Sequence, residues 1–235
     1  MSQSVSDLGP GRVSRRPSND RGNVRGEATR QLILAAAERL FSEHGISAVP
    51  LRDIGVEAGQ RNHAAVQYHF GDRDALVQAI MEARGGESEV VRADIVAGLA
   101  VGGETPTVAD VVSAFVRPLA IHIEPDNHYL AFLSMLITEE GGYEGRQSVH
   151  TGASVVTLRA LIARLAPEVP VAVLDERWWV TLTSGVHTLA RYQAAQQRRT
   201  QSTKLDVLID DLVAYLSAGL VAPVVAGDPR AVVAD

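Results

Sequence analysis

Cysteine is absent from the 235-residue sequence, which excludes disulfides, thiolate metal ligands, a Cys nucleophile and a thiol redox switch. Lysine is nearly absent too: Lys204 stands alone among 22 basic residues, and the rest are Arg. No apolar run approaches the roughly 18 residues of a membrane span. The charges near the N-terminus are not followed by an apolar h-region, so a secretory signal is not expected either, and the expected location is the cytoplasm. Alternating Val/Ile/Thr runs joined by hairpin turns are missing, which argues against a sheet. No internal repeat is found. No i, i+4 histidine pair exists: His63 and His69 are six apart, and His122 and His128 are split by Pro125. No metal site is therefore expected. Without a nucleophile elbow or a glycine-rich phosphate loop, neither an enzyme nor a bound cofactor is expected.

What is present is a 46% apolar chain, ample for a sizeable core. The net charge of −6 is unevenly spread. Residues 1–73 hold ten Arg against eight acidic groups, whereas residues 74–235 hold twelve basic groups against twenty acidic ones. Such asymmetry points to an anionic partner at one end only.

Residues 1–26 read as a disordered Arg-rich arm, with no apolar period and no aromatic residue. Such an arm is either a solvated extension or a strand of positive charge that tracks phosphate or enters a minor groove. From Glu27, the apolar positions Leu32, Ile33, Ala36, Leu40 and Phe41 recur at helical steps, and Gly45 is a natural stop. A short helix over Pro50–Ala58, a turn at Gly59 and a second short helix over Asn62–His69 follow. Asp72 then caps a connecting helix that Gly85-Gly86 should end. Thr107 and Asp110 have capping-box spacing, and Pro118 should bend or end the helix they open. Further helices are expected at Tyr129–Ile137, Val155–Leu165, Val171–Gln197 and Leu205–Leu220. The fold reads all-α. Its expected divisions are the arm at 1–26, a unit of three helices at 27–73, a connecting helix at 74–86, a larger helical domain at 87–223 and a disordered tail at 224–235.

Two short helices joined by a glycine turn have the layout of a helix-turn-helix, whose second helix lies in the major groove. That helix must be small and apolar inward, as Ala65 and Val66 are, and polar outward, as Asn62, His63 and Gln67 are. Asn and Gln amides can pair with adenine edges, and His63, Tyr68 and His69 can donate to base edges or phosphates. The segments Thr29–Phe41, Arg52–Gly59 and Tyr68–Leu76 together resemble the TetR family of bacterial transcriptional regulators, in the right order over about residues 27–82. The resemblance implies a three-helix DNA-binding domain followed by a larger helical domain for ligand binding and dimerisation. It also implies double-stranded, palindromic operator DNA and a homodimer paired through the last two long helices. For that pairing we expect a face of Leu182, Val186, Leu205, Leu208, Leu212 and Leu216.

Two positions depart from the family pattern. Val49-Pro50 stand where a Thr is common, removing a hydroxyl that would reach phosphate. Between Gly59 and Phe70 there is one residue more than usual, so either a longer turn leads to the recognition helix or that helix starts one residue differently. Arg73 matches the family's usual Lys at the start of the fourth helix, where a cation and a helix N-terminus suit phosphate. Arg52 and Arg61 are expected to contact phosphate as well.

Past residue 85 only length and helicity match the family. Candidate ligand-pocket residues are Phe115, Phe132, Met135, Tyr143, Trp178, Trp179, Thr183 and His187, whose mainly apolar character suits a mainly hydrophobic effector. Trp178 and Trp179 point about 100° apart on one helix, so burying both needs two flanking surfaces. The expected function is a ligand-released repressor. The alternatives are an activator or effector-independent regulator of the same fold, and a helical enzyme or small-molecule carrier.

Overall fold

The computed structural model describes residues 20–62, 64–103, 105–139 and 152–224. Most of the arm, His63, Tyr143 and residues 225–235 lie outside the described residues. The described residues form nine α-helices and one 3-10 turn, with no strand among them.

Helix α1 spans Asp20–His44, so it starts inside the segment assigned above to the arm. No apolar period marks those first residues. Once the apolar stretch has nucleated the helix, each further residue adds one hydrogen bond and the helix extends backwards. Its buried stripe runs along Ile33, Leu34, Ala36, Ala37 and Phe41. Leu32, expected inside, falls off the stripe's edge and is exposed. Gly45 ends α1 at φ +93°, and its amide donates to the Phe41 carbonyl. The positive φ favours glycine there, and a Cβ would in addition push the Glu139 carboxylate out of its place beside the turn.

Helices α2 (Leu51–Glu57) and α3 (Ala65–Phe70) follow, with Pro50 as the α2 N-cap. Helix α4 covers Arg73–Val101 and opens on the Asp72 cap, whose carboxylate accepts from the Ala75 amide. It runs unbroken through Gly85-Gly86, correcting the expected helix stop there. A helical glycine costs only about 1 kcal/mol relative to Ala, and packing against α1 and two later helices outweighs that. Gly85 also has a steric reason to be small, since a Cβ there would stand 3.1 Å from the Tyr129 hydroxyl.

Helix α5 (Val108–Leu119) carries the expected Thr107/Asp110 capping box. Pro118 sits in its last turn, and a 3-10 turn at Ala120–His122 continues the chain. Helices α6 (Tyr129–Glu139), α7 (Ala153–Leu165), α8 (Val171–Gln197) and α9 (Leu205–Leu220) complete the body. The bounds of α8 and α9 are those the periodicity predicts. Helix α5 is the centre of the body, touching α4, α7, α8 and α9, with Val111, Val112, Ala114, Phe115 and Val116 all buried. Helix α6 lies between α1 and α8. There Phe132 packs on Phe41 of α1, ring centres 6.3 Å apart, and joins the N-terminal helices to the body.

Candidate nucleic-acid interface and internal cavity

The N-terminal site is built on a small apolar contact. Ile54 and Gly55 of α2 and Ala65 and Val66 of α3 are buried, and a Cβ on Gly55 would meet the Val66 side chain at 3.6 Å. Gly59 takes φ +69° in the turn between them. The extra residue of this turn is absorbed by Asn62. Its side-chain oxygen accepts from the Ala64 amide and its carbonyl from the Ala65 amide. Helix α3 therefore starts at Ala65, three residues later than expected, and Asn62 belongs to the turn rather than to the recognition helix.

With Ala65 and Val66 inward, Gln67 and Tyr68 face solvent. Tyr68 is 84% exposed, which is unusual for so large a side chain. His69 is half-buried, its ring edge-on to Tyr68 at 5.2 Å. Arg52 and Arg61 are exposed; Arg52 approaches the Asp53 carboxylate at 3.3 Å. Arg30 of α1 lies over the Phe70 ring at 5.1 Å, a cation–π contact across forty residues of sequence that no local pattern signals.

Arg73 departs from its expected role. It is half-buried, and its guanidinium donates to the Ile46 carbonyl. The Asp72 carboxylate already accepts from the Ala75 amide at the N-terminus of α4, so an incoming phosphate would meet a like charge. The Ile46 turn is held from the other side as well. Glu139, at the end of α6, accepts from the Ile46 and Ser47 amides at 3.0 and 2.9 Å. Buried Glu38 of α1 accepts from Arg84 of α4 at 2.8 Å and from the His128 amide at 3.1 Å. Polar bonds thus tie α1 and the turn that leads from it to α2 to both α4 and the start and end of α6.

The body contains a cavity of about 280 Å³ between α4, α5, α6, α7 and α8. Its walls are mainly apolar: Met81, Leu119, Leu133, Val155, Leu182 and Val186 among them. Of the predicted pocket residues, Phe115 lines it. Trp178 packs behind Phe115, ring centres 6.2 Å apart, and Phe132 is core between Phe41 and Tyr129. Met135, Trp179, Thr183 and His187 are half-buried outside the lining. His187 pairs with Ser134 Oγ at 2.7 Å, and the Thr183 hydroxyl bonds carbonyls of its own helix. Trp178 is buried and Trp179 only partly so, consistent with one flanking core rather than two.

The polar lining comes from residues that the sequence reading passed over, because they follow a glycine pair taken as a helix end. Ser88, Glu89 and Arg92 are successive inward positions of α4, and Tyr129 opens α6. Behind Ser88, fully buried His122 forms a chain of hydrogen bonds. The Tyr129 amide donates to Asn127 Oδ1, Asn127 Nδ2 lies 3.4 Å from His122 Nδ1, and His122 Nε2 lies 2.7 Å from Ser88 Oγ. This chain is satisfied by a neutral imidazole carrying its proton on Nε2. Burial, and then the charges of Arg84 and Arg92, hold the His122 pKa down to about 4.

The expected pairing face needs correction as well. Leu182, Val186, Leu212 and Leu216 are buried within the single chain, while Leu205 and Leu208 are half-buried. The large exposed apolar side chains of the last two helices are Val171, Val180, Val207 and Tyr215. No helix of the described residues is long and apolar enough to cross a membrane.

An all-helical fold with a solvent-facing second helix after a glycine turn defines a helix-turn-helix protein. Residues 33–80 match the family model described as bacterial regulatory proteins, tetR family. A 72-residue stretch is 38% identical to an HTH-type transcriptional repressor of Mycobacterium tuberculosis, and equally to an HTH-type transcriptional regulator of Mycobacterium bovis. It covers 30% of this chain and 38% of either relative. Among solved structures, a TetR-family regulator from Streptomyces coelicolor is 20% identical, with a TM-score of 0.41 over 88% of this chain and 98% of that one. A gamma-butyrolactone receptor, an ArpA-like protein, is 18% identical, with a TM-score of 0.48 over 82% and 98%. The similarity is thus to the N-terminal segment of tetR-family regulatory proteins, and the chain spans well under half the length of the curated relatives it matches.

Proposed function

We propose that this chain is a sequence-specific, DNA-binding repressor that works as a homodimer on a palindromic operator and is released by a small, mainly apolar effector. The observation that carries the reading is helix α3, which buries Ala65 and Val66 on α2 and turns Gln67 and Tyr68 outward. That is the division of faces a groove-reading helix needs. The names of the curated relatives support the same reading. Gln67 reads a base edge, Tyr68 and His69 flank it, and Arg52 and Arg61, with Asn62 in the turn, lie toward the backbone. Arg73 acts indirectly, by fixing the Ile46 turn.

The effector site is the cavity. Helix α4 carries Met81 to Arg92 along its wall and Arg73 at its start, and α6 carries Leu133 in the wall and Glu139 at its end. A ligand that favours one packing of α4 and α6 therefore biases the turn before α2, and with it the spacing of two recognition helices in a dimer. A second copy would pair on the exposed faces of α8 and α9, including Val180, Val207 and Tyr215, not on the buried leucines. Sedimentation at micromolar concentration should give about twice the 25.1 kDa chain mass.

Selection of bound fragments from a genomic library tests the reading. Gln67→Ala should cost about 1–3 kcal/mol on the selected operator and relax preference at one base position per half-site. Arg61→Ala should weaken all sequences alike and lower the salt slope by roughly one unit per half-site. An unchanged sequence preference in Gln67→Ala, with loss in an Asn62 or His63 variant, would move base reading into the turn. Failure to retain any fragment at low salt would end the repressor reading.

A further inference from the structure

The cavity holds one polar group whose bonding is incomplete. Arg92 is only 5% exposed, and its guanidinium lies 5.6 Å from the centre of the Phe115 ring, another wall residue. One end of it is satisfied: Nη1 donates to Glu89 at 2.8 Å, and the other Glu89 oxygen accepts from the Ser154 amide at 2.8 Å. The Nε–H is not. It is the buried side-chain polar atom left without a hydrogen-bond partner among the described residues, with almost no open surface of its own, so an acceptor reaches it only on a shift of the side chains around it. A buried donor left unpaired costs the full price of its lost hydration, so such atoms are rare and need an explanation.

We infer that the effector presents a neutral carbonyl oxygen, as in a ketone, ester or amide, to Arg92 Nε while its apolar remainder fills the walls. This rests on the reading of the cavity as the effector site and specifies its chemistry. The charges decide between headgroups. Arg92 is already neutralised by Glu89, and Glu82, also in the lining, adds a further negative charge. A carboxylate ligand would have to share one guanidinium with Glu89 and face Glu82 uncompensated. An ammonium would meet a guanidinium that has no acceptor to offer it. A purely apolar ligand would leave the Nε–H unpaired and shut off from water. His122, neutral in this environment, contributes no charge from behind Ser88. The cavity volume of about 280 Å³ lies at the low end of small-molecule sites, so one or two rings or a medium-length chain fill it.

The test uses the full chain at neutral pH and three probes of nearly equal size: acetophenone, ethylbenzene and benzoate. Affinities are read by ligand-observed saturation-transfer NMR titration. Acetophenone should bind about ten-fold more tightly than ethylbenzene, the gain expected of one hydrogen bond from a charged donor. Benzoate should bind more weakly than acetophenone. Arg92→Lys keeps the cation beside Glu89 but removes the Nε donor, and should bring acetophenone within about three-fold of ethylbenzene. Because Arg92→Lys can repack, the double variant Arg92→Met with Glu89→Gln removes the pair together and keeps an acceptor for the Ser154 amide. It should give the same levelling, with circular dichroism unchanged. Val186→Phe, which fills the cavity, should weaken all three probes. Equal binding of acetophenone and ethylbenzene, or tightest binding of benzoate, overturns the carbonyl assignment and leaves the cavity as a ligand site. If no probe binds at millimolar concentration, the cavity reading falls and the assignment falls with it.

Discussion

The two-helix unit and the helical body place their polar groups in opposite ways. In α2 and α3 the core is made of small contacts, and the amide, phenol and guanidinium groups of Gln67, Tyr68, Arg52 and Arg61 are turned to solvent. In the body Ser88, Arg92, His122 and Gln193 are buried inside apolar walls. Gln193, for example, donates to the carbonyls of His122, Glu124 and Asn127 at 2.8–3.0 Å. An exposed polar surface suits a large, charged, hydrated partner, whose groups replace water one for one. Buried polar groups suit a small partner that must be drawn out of water. The contrast teaches where each kind of recognition can be built: short helices suffice for the first, whereas the second needs several long helices to enclose it.

The sharpest way to break the comparison is at the seam between the two regions. Phe41→Ala removes a fully buried ring stacked on Phe132 and should cost about 3–5 kcal/mol. If the two regions form one cooperative unit, chemical denaturation followed by far-UV circular dichroism and by Trp fluorescence of the body should shift together. A shift confined to one probe would make them independent units.

A second test addresses the buried polar chain. His122 has a folded pKa near 4 against an ordinary value of 6.5. Above 6.5 the group is neutral whether the chain is folded or not, and its neutral burial costs nothing in protonation. Between 6.5 and 4 the unfolded chain binds a proton that the folded chain refuses, so stability falls as pH falls. The loss should be on the order of 3 kcal/mol by pH 4. His122→Gln should flatten this part of the profile in urea titrations between pH 7 and pH 4. An equally steep profile in the variant would assign the acid sensitivity to the carboxylates.

A smaller effect sharpens the link between the regions. Glu139→Ala leaves the Ile46 and Ser47 amides without their acceptor and should cost about 1–2 kcal/mol. Hydrogen exchange at those two amides should accelerate, while amides in α9 stay protected. Unchanged exchange at Ile46 and Ser47 would remove Glu139 from the coupling route. The smallest expected effect is on the exposed side of α1. Leu32→Ala should change stability by no more than about 0.5 kcal/mol, since Leu32 lies outside the buried stripe. A loss of several times that would show that the outer face of α1 packs on something in solution.

The sequence by itself determined whatever depends on local spacing. The α8 and α9 bounds, the Thr107/Asp110 capping box, the Asp72 cap and the inward Ala65-Val66 pair follow from periodicity and capping chemistry within a few residues. The family resemblance likewise rested on three short segments of contiguous residues. Tertiary structure alone decided the rest. Gly85-Gly86 reads as a stop, yet packing along α4 carries the helix through, and this brings Ser88, Glu89 and Arg92 into the cavity. Arg73 reads as a free cation, yet a carbonyl twenty-seven residues away takes its guanidinium. The leucines of α8 and α9 read as a surface for a second copy, yet α5 covers much of them within one chain. The physical reason is the same in each case. Propensity differences amount to about 1 kcal/mol per residue, whereas burial of a large side chain or the pairing of a buried charge is worth more, and both depend on neighbours that only the folded chain supplies.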